Sequence, residues 1–225
     1  MIRAVVFDFD GVLANSEPLH FRAYRDVLSD RGIALTEAAY YENYLGYDDV
    51  GAFQAIAKDS GTEFSAADIE DLVARKAVRL EALEQSASVL FPGARDAIAR
   101  MAASRPTAIA SGALKAEILR VLDHESLRVH FPVVVSAEDT AASKPDPAPY
   151  LRAVELLRAT VPGLQPAECV AIEDSKWGLV SARTAGLRTV GITHTYAAAE
   201  LADAADTVID HLDRFTPALI DALSR

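Results

Sequence analysis

Two aspartates lie within and just after the first apolar run of the chain. The run Ala4–Phe9 consists of Ala, Val and Phe except for Asp8, and Asp10 and Gly11 follow it directly. A run of this kind predicts a fully buried strand of a parallel sheet. Side chains two positions apart on a strand point the same way, so we expect Asp8 and Asp10 to converge at its carboxyl end. Because buried carboxylates are costly without a partner, the pair indicates a cation site or a reaction rather than a simple strand-end turn.

The pattern beyond this strand alternates between strand and helix, apart from one long helical stretch. Residues 19–86 carry only helical patterns, with a capping box predicted at Ser65. We therefore predict an α/β fold, a Rossmann-like open parallel sheet core with an inserted helical cap after the first strand. The predicted core domain spans residues 1–14 and 88–225, and the predicted cap domain spans residues 15–87. Later strands are expected at Thr107–Ala110, Val133–Ser136, Cys169–Ile172, Thr189–Ile192 and Thr207–Ile209.

Composition and charge limit the partners of the chain. Its 225 residues are 51% hydrophobic and include 22 basic and 33 acidic side chains, for a net charge of −11 at pH 7. This balance argues against nucleic acid and anionic membranes as main partners, because both select a basic face. A single cysteine, Cys169, rules out an internal disulfide and is typical of a reducing compartment. Since no signal-peptide pattern or membrane-spanning run is visible, we expect a cytoplasmic protein, with no indication of its oligomeric state.

Polar residues follow four of the predicted strands, at the edge where open α/β sheets bind ligands. Each group also has an ordinary structural explanation. Ser111 and Asp174 are suitable helix caps, and Lys144 before a proline is typical of a surface loop. Their joint placement at strand ends favours a functional site. The four groups are Asp8–Gly11, Ser111-Gly112, Lys144-Pro145 and Glu173-Asp174-Ser175.

In chain order these groups resemble the four motifs of the haloacid dehalogenase superfamily. The likeness extends over nearly the whole chain, and four motifs in order are far more specific than one alone. The helical insert after the first motif is similar to that of the branch containing phosphoglycolate phosphatase and β-phosphoglucomutase. The motifs read Asp8-Phe9-Asp10-Gly11-Val12-Leu13, Ile109-Ala110-Ser111-Gly112, Ser143-Lys144-Pro145-Asp146-Pro147 and Ile172-Glu173-Asp174-Ser175.

The resemblance implies a phosphatase that forms an aspartyl-phosphate intermediate. Asp8 would attack phosphorus as the nucleophile, and Asp10 would protonate the leaving oxygen and later activate water. Lys144 would offset negative charge on Asp8 and on the phosphoryl group. Ser111 and the backbone amides after it, beginning with that of Gly112, would donate hydrogen bonds to the phosphoryl oxygens at a helix N-terminus.

The same resemblance implies a Mg²⁺ site built from oxygen ligands, which this cation prefers. Asp8, Asp174 and the backbone carbonyl of Asp10 would hold the ion, with Glu173 as a neighbour or further ligand. A divalent cation and a lysine together would make four acidic residues tolerable in one place. We therefore expect Mg²⁺ as cofactor and a small phosphorylated metabolite as substrate, with sugar phosphates and phosphoglycolate as candidates.

Substrate contacts in the predicted cap are less well specified by the sequence. His20, in the first cap helix, matches a position where cap-bearing relatives place a polar substrate contact; a surface or structural histidine is the alternative. Lys76, in the last cap helix, is a second candidate for substrate binding, with a solvated lysine as the alternative. Trp177, close to the fourth motif, is expected to pack inside the fold.

Three other functions share parts of this pattern. A β-phosphoglucomutase-like phosphomutase would use the same aspartyl-phosphate, but its cap loop carries an arginine, whereas residues 45–50 contain two acids and no arginine. A 2-haloacid dehalogenase needs no metal and has no acid corresponding to Asp10, so the acids here argue against it. A non-catalytic binding module would be expected to lack some of the motif residues, and all are present. Hydrolysis is therefore the preferred reaction.

Overall fold

The chain divides into two compact units in the structure, a computed structural model that describes residues 1–45, 47, 49–85 and 88–224. The first, which we call the sheet unit, consists of Met1–Asn15 and Val89–Arg225. The second, the helical unit, is Ser16–Ser88. Gly46 and Asp48 of the predicted cap loop, and residues 86–87 at the predicted cap boundary, lie outside the described residues.

Strands and helices alternate along the sheet unit, and the first helices of the chain form the helical unit. The strands are β1 (Ala4–Phe7), β2 (Thr107–Ala110), β3 (Val133–Val135), β4 (Cys169–Glu173), β5 (Arg188–Ile192) and β6 (Thr207–Ile209). The helices are α1 (Glu17–Ser29), α2 (Glu37–Asn43), α3 (Asp49–Ser60), α4 (Ala66–Glu84), α5 (Ala94–Ala102), α6 (Lys115–His124), α7 (Ala148–Leu157), α8 (Lys176–Thr184), α9 (Ala198–Leu201) and α10 (Pro217–Ala222). None of these helices is both long enough and apolar enough to cross a membrane.

The six strands form one parallel sheet in the order β3-β2-β1-β4-β5-β6. Val5 of the central strand β1 pairs with Thr107 of β2 on one side and with Val170 of β4 on the other. The predicted α/β fold with a Rossmann-like parallel sheet is therefore confirmed. From β1 to β3, successive strands are added toward one edge of the sheet. β4 then lies on the other side of β1, and β5 and β6 are added toward the opposite edge. Ligands bind at such a reversal point, beyond the carboxyl ends of β1 and β4.

Packing on both faces of the sheet holds β1 in place. Neighbouring side chains of a strand face opposite sides, so β1 contributes to two cores. Val6 belongs to a buried cluster that includes Tyr150 of α7. On the other face, the ring of Phe7 makes edge-to-face contacts with Phe131 and Phe215, at centroid distances of 5.9 and 5.6 Å. Because β1 is completely buried, the position of the residues that follow it is set by the sheet.

The helical unit packs around aromatic side chains. The ring of Tyr24 in α1 contacts Tyr40 of α2 and Phe53 of α3, at centroid distances of 5.6 and 5.0 Å. The predicted capping box at the start of α4 is confirmed, because Ser65 and Asp68 exchange side-chain to backbone hydrogen bonds. Within the described part of this unit there is no strand.

β1 ends two residues earlier than the apolar run predicts. The chain turns at this point: the carbonyl of Phe9 accepts a hydrogen bond from the amide of Leu13 at 2.8 Å, and Gly11 has a φ of +77°. The i, i+2 alternation of a strand therefore does not extend across Asp8 and Asp10. Asp8 lies before this turn and Asp10 within it, and the first is buried whereas the second is exposed.

Candidate active site

Asp8 and Glu173 lie at the carboxyl ends of β1 and β4, the two neighbouring strands at the reversal point of the sheet. The amide of Asp8 donates to the carbonyl of Ile172 at 3.0 Å, which extends the pairing of these strands. Lys144, from the loop before α7, contacts both acids: its Nζ is 2.7 Å from Asp8 Oδ1 and 2.6 Å from Glu173 Oε1. The structure thus brings three of the predicted site residues into direct contact.

Burial and charge act in opposite directions within this triad. Burial raises the pKa of Asp8, the Glu173 carboxylate raises it further, and Lys144 only partly opposes the rise. Burial lowers the pKa of Lys144, but the carboxylates of Asp8 and Glu173 outweigh this effect and the pKa is raised overall. Lys144 is therefore held as a cation between two carboxyl groups at neutral pH.

Glu173 is fully buried, and hydrogen-bond donors surround its carboxylate. The hydroxyl of Tyr150 donates to Oε1 at 2.5 Å, and the hydroxyl of Ser175 donates to Oε2 at 3.3 Å. Gly178, in the first turn of α8, leaves the space that the carboxylate occupies, because a Cβ at this position would lie 2.0 Å from both oxygens. A side chain at position 178 is therefore incompatible with the observed position of Glu173.

We expect Gly178→Ala to destabilise the sheet unit by about 1–3 kcal/mol, the usual cost of overpacking a filled site. Gly112→Ala is the matched control, because no atom lies within 4 Å of a Cβ built there. The free energy of unfolding of both variants can be measured in urea with EDTA present. Equal values for the two variants would contradict the steric argument.

Asp174 adds a third carboxylate to the cluster. It is 7% exposed, and this burial raises its pKa to about 6, although the Thr195 hydroxyl donates a hydrogen bond to Oδ2 and acts in the opposite direction. Gly11 packs directly on the carboxylate, because a Cβ at that position would lie 2.0 Å from Asp174 Oδ2. The positive φ of Gly11 and the missing Cβ are both needed here, and only glycine meets both requirements easily.

Three carboxylates in this cluster are close enough to share one cation. Asp8, Glu173 and Asp174 each offer an oxygen, and these oxygens lie within 4.8 Å of one another. Such a set of hard anionic oxygen donors fits Mg²⁺. Both oxygens of Glu173 already accept hydrogen bonds from protein donors, so Asp8 and Asp174 are favoured over it as metal ligands.

Asp10 and Ser111 follow neighbouring strands but differ in exposure. Asp10 is exposed, whereas Ser111 is buried directly after β2. Oγ of Ser111 accepts a hydrogen bond from the amide of Ala113 at 3.1 Å. Because the hydroxyl acts as an acceptor in this contact, it keeps its own proton for donation to a ligand.

The start of α6 requires a correction of one expectation. The sequence predicts a phosphoryl site that uses the helix N-terminus after Ser111. In the structure, the amide of Leu114 donates to Glu117 at 3.2 Å, and the amide of Lys115 donates to Glu138 at 2.7 Å. Carboxylates therefore cap this helix. The amide of Gly112, which precedes the helix, is the remaining backbone candidate for donation to a phosphoryl oxygen.

His20 and Lys76 meet each other inside the helical unit. Lys76 is only 2% exposed, and its Nζ is 2.7 Å from Asp49 Oδ1 and 3.0 Å from His20 Nδ1. Tyr24 completes the cluster: its hydroxyl donates to Asp49 at 2.6 Å, and its ring centroid lies 4.8 Å from the ammonium group. A solvated Lys76 is therefore the wrong interpretation. Contact of either residue with substrate stays a prediction.

The cluster in the helical unit predicts a pH effect on stability. Burial, followed by the charge of Lys76, lowers the pKa of His20 from 6.5 to about 4, with Asp49 in partial opposition. Since the unfolded chain keeps the ordinary value, it binds more protons between these pH values, and the free energy of unfolding should fall as pH decreases from about 6.5 to 4. His20→Asn should flatten this dependence in urea unfolding, and the exposed His124→Asn should not. A His20→Asn curve parallel to that of the wild type would contradict the expectation.

The loop after β5 makes two contacts that are absent from the sequence-based predictions. Thr195 donates to Asp174, and His194 Nδ1 lies 2.9 Å from the carbonyl oxygen of Gly11. The same rule that selected the other strand ends could have found this loop, because it follows a strand of the same parallel sheet. Trp177 is a further correction: it lies in the first turn of α8 and is 63% exposed, so the expectation that it packs inside the fold is wrong.

Comparisons with known proteins agree with this fold and identify the family. A family model described as haloacid dehalogenase-like hydrolase matches residues 2–186. The protein CbbY of Rhodobacter capsulatus is 33% identical over 223 residues, which cover 94% of each chain. The phosphorylated carbohydrates phosphatase of Thermotoga maritima is 32% identical over 201 residues, covering 86% of this chain and 87% of the relative. The crystal structure of CbbY from Rhodobacter sphaeroides in complex with phosphate has a TM-score of 0.77 at 27% identity, over 98% of this chain and 100% of that chain. The chain therefore belongs to the haloacid dehalogenase-like hydrolases.

Proposed function

We propose that this hydrolase is a Mg²⁺-dependent phosphatase that cleaves a small phosphate monoester through an aspartyl-phosphate on Asp8. The observation that carries the proposal is the 2.7 Å contact between Lys144 Nζ and Asp8 Oδ1, beside two further buried carboxylates. Phosphoryl transfer depends on a positioned nucleophile and on positive charge that offsets the phosphoryl oxygens. The contact places the positive charge of Lys144 directly beside the proposed nucleophile, Asp8.

Each polar residue has a defined part in the proposed reaction. Asp8 forms a bond to phosphorus while the bond from phosphorus to the leaving oxygen breaks, and Asp10 gives that oxygen its proton. Asp10 then takes a proton from the water that attacks the aspartyl-phosphate, which releases phosphate and restores Asp8. Ser111 and the amide of Gly112 donate hydrogen bonds to the phosphoryl oxygens. The exposure of Asp10 and the burial of Ser111 are compatible with these roles.

Mg²⁺, when bound, would neutralise charge on the phosphoryl oxygens and orient them. Asp8, Asp174 and the carbonyl of Asp10 would hold the ion, and Glu173 lies within reach of the same position. The contacts of Glu173 also support a second role, in which it keeps Lys144 beside Asp8 through its own 2.6 Å contact with the ammonium group. Lys144 would then move little when substrate arrives, because both of its carboxylate partners are already in place.

Phosphorylated carbohydrates are the proposed substrate class. The Thermotoga maritima relative that is 32% identical to this chain is named for that class. In the helical unit, Asp49 pairs with Lys76 at 2.7 Å, so this buried ammonium is already neutralised and is a poor partner for a second phosphate. This pairing favours hydrolysis of a monophosphate over a phosphomutase reaction, in which the sugar carries a second phosphate during turnover.

The two units have different proposed roles. The sheet unit is the proposed catalytic core, because the residues assigned to the chemistry all belong to it. The helical unit is the proposed cap, with His20 and Lys76 as candidate substrate contacts. A cytoplasmic location is proposed from the single cysteine, Cys169, which is free and buried.

A phosphatase assay tests the function. Purified protein is incubated with p-nitrophenyl phosphate and with a panel of sugar phosphates, phosphoglycolate and β-glucose 1-phosphate, with Mg²⁺ or with excess EDTA. We expect phosphate release that requires Mg²⁺ and is fastest with one of the sugar monophosphates. Conversion of β-glucose 1-phosphate into glucose 6-phosphate without phosphate release would support the mutase instead. Absence of turnover on every phosphate ester would contradict the proposed function.

A further inference from the structure

We propose that Thr195 and His194, in the loop after β5, are positioning residues that set the geometry of the Mg²⁺ site. Neither residue belongs to the four motifs. The inference rests on the proposed function, because it concerns the same cation site. Three strand ends, those of β1, β4 and β5, would then build the site together rather than the first two alone.

Thr195 orients the Asp174 carboxylate. Its hydroxyl donates a hydrogen bond to Oδ2, and Asp174 is 7% exposed, so few water molecules can replace this donor. A hydrogen bond to one carboxylate oxygen fixes the rotation of the group and directs the other oxygen, Oδ1, to a defined place. Outer-shell donors of this kind commonly orient the carboxylates that ligate a metal.

His194 holds the turn that carries Asp10. A carbonyl oxygen can only accept, so the 2.9 Å contact with Gly11 means that His194 Nδ1 carries a proton and donates it. The imidazole ring stacks on Phe91 at a centroid distance of 3.9 Å and an interplanar angle of 17°. The amide of Phe91 in turn donates to the carbonyl of Leu13 at 2.9 Å. His194 therefore contacts the turn directly at Gly11 and indirectly through Phe91, which is hydrogen-bonded to Leu13.

The two contacts converge on one carboxylate. Gly11 lies against Asp174 so closely that a Cβ would be 2.0 Å from Oδ2, the oxygen to which Thr195 donates. Because His194 holds the Gly11 backbone, neighbouring residues of one loop restrain Asp174 from two directions. Thr195 thus contacts Asp174 directly, and His194 acts on it through Gly11.

Direct measurement of cation binding tests the proposal. Thr195→Val keeps the branched shape and removes the hydroxyl, Thr195→Ser keeps the hydroxyl, and the adjacent Tyr196→Phe serves as a control for disturbance of the loop. We expect Thr195→Val to weaken Mg²⁺ binding in calorimetry by about 10-fold or more, with Thr195→Ser close to the wild type. Tyr196→Phe should retain full affinity. In EDTA, Thr195→Val should remain folded but unfold at a lower temperature, because a buried carboxylate loses a hydrogen-bond donor. Cation binding is therefore compared at a temperature at which every variant is folded.

His194 is tested in the same way with two variants. His194→Ala should weaken Mg²⁺ binding, and His194→Asn, whose amide can donate to the Gly11 carbonyl, should restore part of it. Unchanged Mg²⁺ affinity in Thr195→Val, or equal losses in Thr195→Val and Thr195→Ser, would overturn the proposal while leaving the phosphatase intact. Absence of Mg²⁺ binding by the wild type would instead contradict the proposed Mg²⁺-dependent function itself.

Discussion

Asp8→Asn is expected to lower phosphatase turnover by at least about 10³-fold, because a carboxamide cannot serve as the nucleophile. The substitution keeps the shape of the Asp8 side chain, which is 10% exposed and lies against Lys144 and Glu173. Hydrolysis of p-nitrophenyl phosphate at saturating Mg²⁺ measures the effect. Turnover close to that of the wild type would rule out Asp8 as the nucleophile.

The stability of the same variant provides its control. Burial and the Glu173 carboxylate both raise the pKa of Asp8, which means that a charged Asp8 is held at a cost in the folded chain. Asparagine removes the repulsion from Glu173, while Lys144 keeps its 2.6 Å contact with Glu173. In EDTA, the free energy of unfolding of Asp8→Asn should therefore be equal to or higher than that of the wild type. A large decrease would make the loss of activity uninformative about chemistry.

Lys144→Met is expected to reduce both turnover and stability. The ammonium group contacts two buried carboxylates, and its side chain is only 14% exposed. Removal of one partner from a buried ion pair typically costs about 3–5 kcal/mol, because the remaining charge loses its compensation. Urea unfolding in EDTA measures this loss, and addition of Mg²⁺ should restore part of it by supplying another positive charge to the same acids.

A second variant separates the charge effect from the loss of packing. Glu173→Gln combined with Lys144→Met leaves fewer uncompensated charges, so the double variant should be more stable than the sum of the two single changes predicts. Additive losses would mean that the contact between Lys144 and Glu173 does not contribute to stability. Glu173→Gln by itself should lower turnover, because Lys144 then loses one of the two carboxylates that hold it beside Asp8.

Much of the sheet unit could be predicted because its strands are short, apolar and end in polar residues. The bounds of β2 and β6 agree with the predicted strands, and β4 is one residue longer, so that Glu173 belongs to the strand itself. The parallel sheet also made it possible to predict that Asp8, Lys144 and Glu173 would meet. The strands that precede or contain these residues have their carboxyl ends at one edge of the sheet. The distances in the structure agree with that prediction.

Features that depend on side-chain partners from distant helices could not be predicted in this way. Lys76 is buried because Asp49, which begins α3, neutralises it, and no local pattern reveals that pairing. The exposure of Trp177 follows from its place in the first turn of α8, which hydrophobicity alone does not specify. The carboxylates that cap α6 similarly come in part from Glu138, on a different segment.

The identity of the nucleophile is tested most directly by trapping the intermediate. Asp10→Asn should still form an aspartyl-phosphate from p-nitrophenyl phosphate, because nitrophenolate leaves without a proton, but should discharge it slowly for lack of a general base. Acid-quenched protein, analysed by intact-mass and peptide mass spectrometry, should carry one phosphoryl group on Asp8. The doubly substituted Asp8→Asn, Asp10→Asn protein should carry none. Release of one or more equivalents of nitrophenolate by Asp10→Asn, with no phosphoryl group on Asp8, would contradict the proposed mechanism.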